Sequence, residues 1–195
     1  MPRTGERGGP QTRARISQVA TQLFLARGFD TVTVAEVARE AGVSSVTVFK
    51  HFPRKEDLFL DRTDEAVELL RAAVHGSADP LASLRRTTLL LVDERHSLSG
   101  LADGSAPFYR TVAESPALIA RTREIAAELQ HTLADEIEGD ATLLSAFFIA
   151  GYSAVLVETA RRLIADEPLR AVADDHRARV EELFDALRNG VSRPL

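Results

Sequence analysis

An all-α fold is predicted by three features of the 195-residue chain. Nearly every segment repeats its apolar residues at helical spacing, and no stretch alternates them as a strand would. Glycine, proline and Ser/Thr caps fall between those segments, where helices start and stop. The segments divide into an N-terminal three-helix domain and a larger C-terminal helical domain. Their expected ranges are residues 1–11 for a loose tail, 12–57 for the first domain and 58–195 for the second.

The elements follow in order. Residues 1–11 hold three Gly and two Pro with Arg3 and Arg7, and no apolar block follows as a secretory signal requires. From Arg13 to Arg27, Ile16, Val19, Ala20, Leu23 and Phe24 line one helix face, and Gly28 is a natural C-cap. Thr33 with Glu36 makes a capping box for a short helix ending at Ala41, with Val34, Val37, Ala38 and Ala41 inward. Ser44 caps another short helix, with Val48, Phe49 and Phe52 for its core face, and Pro53 ends it. Longer helices are expected from Arg54 to about His75 and from Pro80 to about Leu98, with a loop over Ser99–Ser105. A short helix around Pro107–Ala113 precedes Ser115-Pro116, a cap followed by proline at the first helical position. That position opens a helix to about Glu138. Two more follow, from Ala141 to about Asp166 and from Pro168 to Asn189-Gly190.

The two short helices around Gly42 have the spacing of a helix-turn-helix. Ala38 permits a close crossing, Gly42 supplies positive φ, and Val48 fixes the second helix against the first. The second helix then presents Ser45, Val46, Thr47, Lys50 and His51, small polar and basic groups suited to a DNA major groove. Thr33 and Ser44 place helix N-termini beside that groove, where phosphates bind well. Lys50 and Lys55 are the only two lysines of the chain.

The segment Val34–Leu58, VAEVAREAGVSSVTVFKHFPRKEDL, preceded by RISQVATQLFLARGFDTVTV, resembles the DNA-binding domain of the TetR family of bacterial transcriptional regulators. The resemblance covers about the first 60 residues, with a weak echo in ELFDALRNGV near the end. It implies base or phosphate reading by Ser45, Thr47 and Lys50, and backbone contacts by Thr33, His51 and Lys55. Phe49 departs from the tyrosine usual there and lacks its phosphate-reaching hydroxyl, so a mainly structural role is expected. Val46, bulkier than in many relatives, offers an apolar contact to a thymine methyl or packing in the turn.

Charge supports the division. The chain has 24 basic and 29 acidic side chains, a formal net charge of −5. Residues 1–60 carry nine basic groups (Arg3, Arg7, Arg13, Arg15, Arg27, Arg39, Lys50, Arg54, Lys55) and six acidic ones, a net +3, leaving −8 for the rest. Arg3, Arg7, Arg13 and Arg15 are placed to reach phosphates or a minor groove. Such modules usually act in symmetric pairs on double-stranded operator DNA. A homodimer is therefore expected, built by the last two helices: Ala150, Gly151 and Ala154 permit close approach, with Val172, Val180, Leu183, Phe184 and Leu187 opposite. The resemblance also implies a pocket for an unknown small-molecule effector between Pro80 and Glu158. Candidate lining residues are His96, Phe108, Tyr109, Arg110, His131, Phe147, Phe148 and Tyr152.

Other functions find no footing. Without cysteine there is no disulfide, thiol catalysis or thiolate metal site. No phosphate loop, metal-helix signature or nucleophile elbow occurs, and no catalytic residues, cofactor or metal site are expected. The most apolar stretch, Leu143–Val157, is shorter than the ~20 residues of a membrane span, so a cytoplasmic protein without membrane contact is expected. The alternative is a helical ligand-binding or protein-interaction module with a vestigial helix-turn-helix, supported by Phe49 and the net charge.

Overall fold

The computed structural model describes residues 9–189. Arg3, Arg7 and the Gly190 stop lie outside the described residues. Gly9–Gln11, expected in the tail, are the first residues of α1 (Gly9–Arg27), where a proline at the second position costs no helical hydrogen bond. The described residues form helices and no strand. Two compact units are present.

The first unit comprises the chain up to Asp61 together with Thr111–Arg121. In it α1, α2 (Val34–Glu40) and α3 (Ser45–His51) surround a core of Ile16, Ala20, Phe24, Phe29, Val32, Val37, Val48, Phe52, Leu58 and Phe59. Phe24 packs its ring 4.9 Å from Phe29 and edge-on to Phe59 at 5.7 Å. The helix expected from Arg54 does not form there: Glu56–Leu58 is a single 3₁₀ turn, and α4 starts only at Thr63 and runs to Val74. Asp57 accepts the Arg54 amide at 3.2 Å. Asp61 is pinned to α1, its carbonyl by Arg13 at 3.2 Å and its carboxylate by the Ser17 hydroxyl. Those bonds hold the chain across a break that periodicity alone does not show.

The second unit contains Arg62–Arg110 and the residues after Arg121. α5 (Pro80–Asp93) stops five residues before the expected Leu98, because Arg95 turns to φ 50° and the His96 amide bonds Leu91 O at 2.9 Å. A 3₁₀ turn at Ser97–Ser99 leads to Gly100. α6 (Ser105–Glu114) and α7 (Pro116–Glu136) each contribute residues to both units. α8 (Thr142–Ile164) packs against α9 (Leu169–Asn189), with the Phe148 and Phe184 rings 5.6 Å apart. By length and composition alone α8 is apolar enough to cross a membrane, with mean hydropathy 1.6 over 18 residues, a test that the core helix of a soluble protein also passes.

The α8–α9 contact also corrects the expected dimer surface. Val172, Val180 and Phe184 are buried in their own chain. Gly151 serves the same intrachain contact, since a Cβ there would lie 2.3 Å from Leu183 Cδ1. Within this contact His176 is 1% exposed, its Nδ1 paired with Thr159 Oγ1 at 2.8 Å and its Nε2 without a partner. Burial holds its pKa down at about 4. Above pH 6.5 the ring is neutral whether folded or unfolded; below that the unfolded chain takes up the proton first and stability falls until the folded pKa is passed. Urea unfolding is expected to show His176→Leu losing about 2–3 kcal/mol less than the parent between pH 7 and pH 4.5. Equal losses would show that His176 carries none of the acid sensitivity.

Candidate nucleic-acid interface

Local chemistry fixes both short helices. The Thr33 hydroxyl accepts the Glu36 amide at 3.2 Å, and the Glu36 carboxylate accepts the Thr33 amide at 2.8 Å, the expected capping box. Arg27 adds a 2.9 Å ion pair to the same carboxylate. The amide of Thr33, the Arg27 guanidinium and the Thr33 hydroxyl together hold the Glu36 pKa down at about 2. At the start of α3, Ser44 Oγ accepts the Thr47 amide at 3.1 Å and lies 2.9 Å from Thr47 Oγ1. Gly42, at φ 65°, makes the turn between the helices.

One side of α3 is thereby committed to the core through Val48, with Phe52 behind it, both fully or nearly fully buried. Ser45, Thr47 and His51 are half-buried, and Val46 and Lys50 are exposed. Phe49 joins them. It is 49% exposed, so its expected packing role is corrected: it lies about 100° around the helix from the buried Val48. Lys55 has moved the other way. Its ammonium donates to Phe29 O at 2.7 Å and sits 4.2 Å over the Phe29 ring, and desolvation lowers its pKa. That bond uses one of the three ammonium donors.

Sequence reasoning missed the residues that complete this unit. Ser115 Oγ donates to Asp30 at 2.9 Å, and Arg121 Nε donates to Asp57 at 2.9 Å. These pairs join positions 85 and 64 apart in sequence, and no local pattern announces them.

The residues match the family model for bacterial regulatory proteins of the tetR family over positions 16–61. Residues 16–61 are a tetR-type regulatory domain. Among curated TetR-family relatives, the regulator TtgR of Pseudomonas putida is 31% identical over 99 residues, in an alignment covering 48% of this chain and 47% of TtgR. The chain thus spans about half the length of that relative. TcmR of Streptomyces glaucescens is 28% identical over 194 residues, 91% of this chain and 83% of TcmR. A crystal structure of a TetR-family regulator from Streptomyces coelicolor superposes with a TM-score of 0.59 at 22% identity, over 95% of this chain and 99% of that one. It establishes that both units have the TetR-family fold.

The residues expected to line an effector pocket are only partly brought together. Tyr109, Phe148 and Tyr152 lie in the core of the second unit. Phe148 and Tyr152 stack at 6.0 Å, and the Phe108 ring meets Tyr109 edge-on at 5.8 Å. Burial raises the pKa of both tyrosines. His96 is tied to Glu65 at 3.3 Å and to the Leu98 amide. Arg110 faces Asp166 and the Ile164 carbonyl, and His131 bonds its own helix at Ala127 O. Phe147 is 60% exposed and faces away from the core. The larger of the two best-formed concavities, about 360 Å³ between α5 and α9, is lined instead by Leu81, Leu89, Phe184, Arg85, Arg86 and Arg188.

Proposed function

We propose that this protein is a homodimeric, sequence-specific DNA-binding regulator of transcription, a repressor relieved by a small-molecule effector. The observation that carries the reading is α3. It is capped at Ser44, anchored through Val48, and presents Ser45, Val46, Phe49, Lys50 and His51 on its accessible face. A helix so held suits a major groove, and a pair of them suits half-sites about one helical turn apart or more. Lys50→Ala is expected to weaken binding to DNA from upstream of the protein's own gene by about 1–3 kcal/mol, roughly 5- to 150-fold. Fluorescence anisotropy across a salt series checks this. Unchanged affinity in the variant removes Lys50 from the interface, and absence of any specific, salt-sensitive binding rejects the function.

The outer face of α8 supports the dimer. Leu143, Phe147, Ala150, Ala154 and Val157 recur at intervals of four and three residues, the spacing of a helix–helix seam. Leu143, Phe147 and Val157 are 68%, 60% and 69% exposed in the single chain. A second copy of α8 covers them. For the effector, the filled aromatic interior around Tyr109, Phe148 and Tyr152 has a useful consequence. A ligand entering there has to displace packed side chains, so binding and rearrangement become one event. Its differential affinity for the two arrangements is the energy that shifts DNA binding.

A further inference from the structure

The exposed face of α3 is more apolar than a DNA-reading helix needs for hydrogen bonding. Val46 is 79% exposed and Phe49 49%, and with Leu25 they are the exposed large hydrophobic residues of the first unit. Hydrogen-bonding capacity on the same face is reduced, because the Thr47 hydroxyl and amide are both engaged with Ser44. Phe49 has no polar atom with which to reach a base edge or a phosphate. The major groove offers one apolar feature, the 5-methyl group of thymine.

We propose that Val46 and Phe49 form an apolar reading edge selecting two thymine methyl groups in each operator half-site. The proposal rests on the DNA-binding reading above. Positions 46 and 49 are three residues apart on one helix, a rise of ~4.5 Å. Base pairs repeat every ~3.4 Å, so the two methyls belong to adjacent or next-but-one base pairs. Phe49, the longer side chain, reaches the methyl further from the helix axis, and Val46 takes the one beneath the start of α3. Thymine is selected here by contact and burial alone, while Lys50 and Ser45 supply the polar contacts.

The test uses the full chain. Its preferred duplex is selected from a random pool, and each thymine of the selected half-site is then replaced singly by uracil. That exchange removes a methyl and leaves every hydrogen-bonding group in place. Affinity is expected to fall about fourfold at each of two positions on adjacent or next-but-one base pairs, the effect of burying one methyl, and to stay constant at the others. Val46→Ala should abolish the uracil effect at one of the two positions and Phe49→Ala at the other. Both side chains are substantially exposed, and circular dichroism confirms that the variants remain folded. Specific binding indifferent to uracil everywhere overturns the inference and leaves the DNA-binding function standing. A uracil effect that persists in both variants overturns the assignment to these residues. Failure to select any sequence overturns the inference together with the function it rests on.

Discussion

Phe147→Glu is expected to convert the protein to a monomer with an unchanged helical spectrum. Phe147 lies at the middle of the α8 stripe and is 60% exposed in the single chain, so its replacement removes little from the fold. In the proposed dimer the same position is buried twice, once in each copy. A central aromatic residue at such a seam contributes about 2 kcal/mol or more. Two copies then weaken the dimer by about a thousandfold, and facing carboxylates add repulsion. Sedimentation equilibrium measures this directly. Operator affinity should fall in the same variant, because a single α3 holds only one half-site. A Phe147→Glu protein as dimeric as its parent would show that the interface lies elsewhere.

Gly100→Ala is expected to have the largest effect on stability. Gly100 is buried at φ 74°, and an added Cβ would lie 1.8 Å from the Tyr109 phenol oxygen and 3.2 Å from Leu156 Cδ2. The backbone conformation costs a non-glycine residue about 1–2 kcal/mol, and overpacking adds about 1–3 kcal/mol. Together these lower the melting temperature by roughly 10 °C for a chain of this size. Adding Tyr109→Phe removes the clashing oxygen and should return part of the loss, while the backbone part stays. If Gly100→Ala melts with its parent, the phenol is not seated against this turn.

The legible parts of the molecule are those decided within a few residues. The Thr33–Glu36 box, the Ser44 cap and the Gly42 turn each involve neighbours along the chain, and so the helix-turn-helix could be read in detail. The late start of α4 could not, because the break before it depends on Arg13 and Ser17 reaching Asp61 from α1. Lys55 was placed on the DNA side by its neighbours in sequence, yet its ammonium turns to a carbonyl 26 residues away. On α8 the difficulty was different. The helix is apolar on two sides, and its composition does not say which side meets α9. Gly151 marks the side that does, since a Cβ there would lie 2.3 Å from Leu183 Cδ1. Of the outer stripe, the sequence points only to Ala150 and Ala154 as dimer residues and places Phe147 in the pocket.

The path of the chain through the first unit sets a limit on its autonomy. A fragment ending at Asp61 keeps every residue matched to the family model but loses Thr111–Arg121, and with it Ser115 on Asp30, Arg121 on Asp57 and the fully buried Leu118. The first unit therefore cannot be cut out as one continuous piece of sequence and transplanted to another protein with all its contacts. Those contacts come from residues made some fifty positions later, so an emerging chain stalled before Thr111 displays α3 without them.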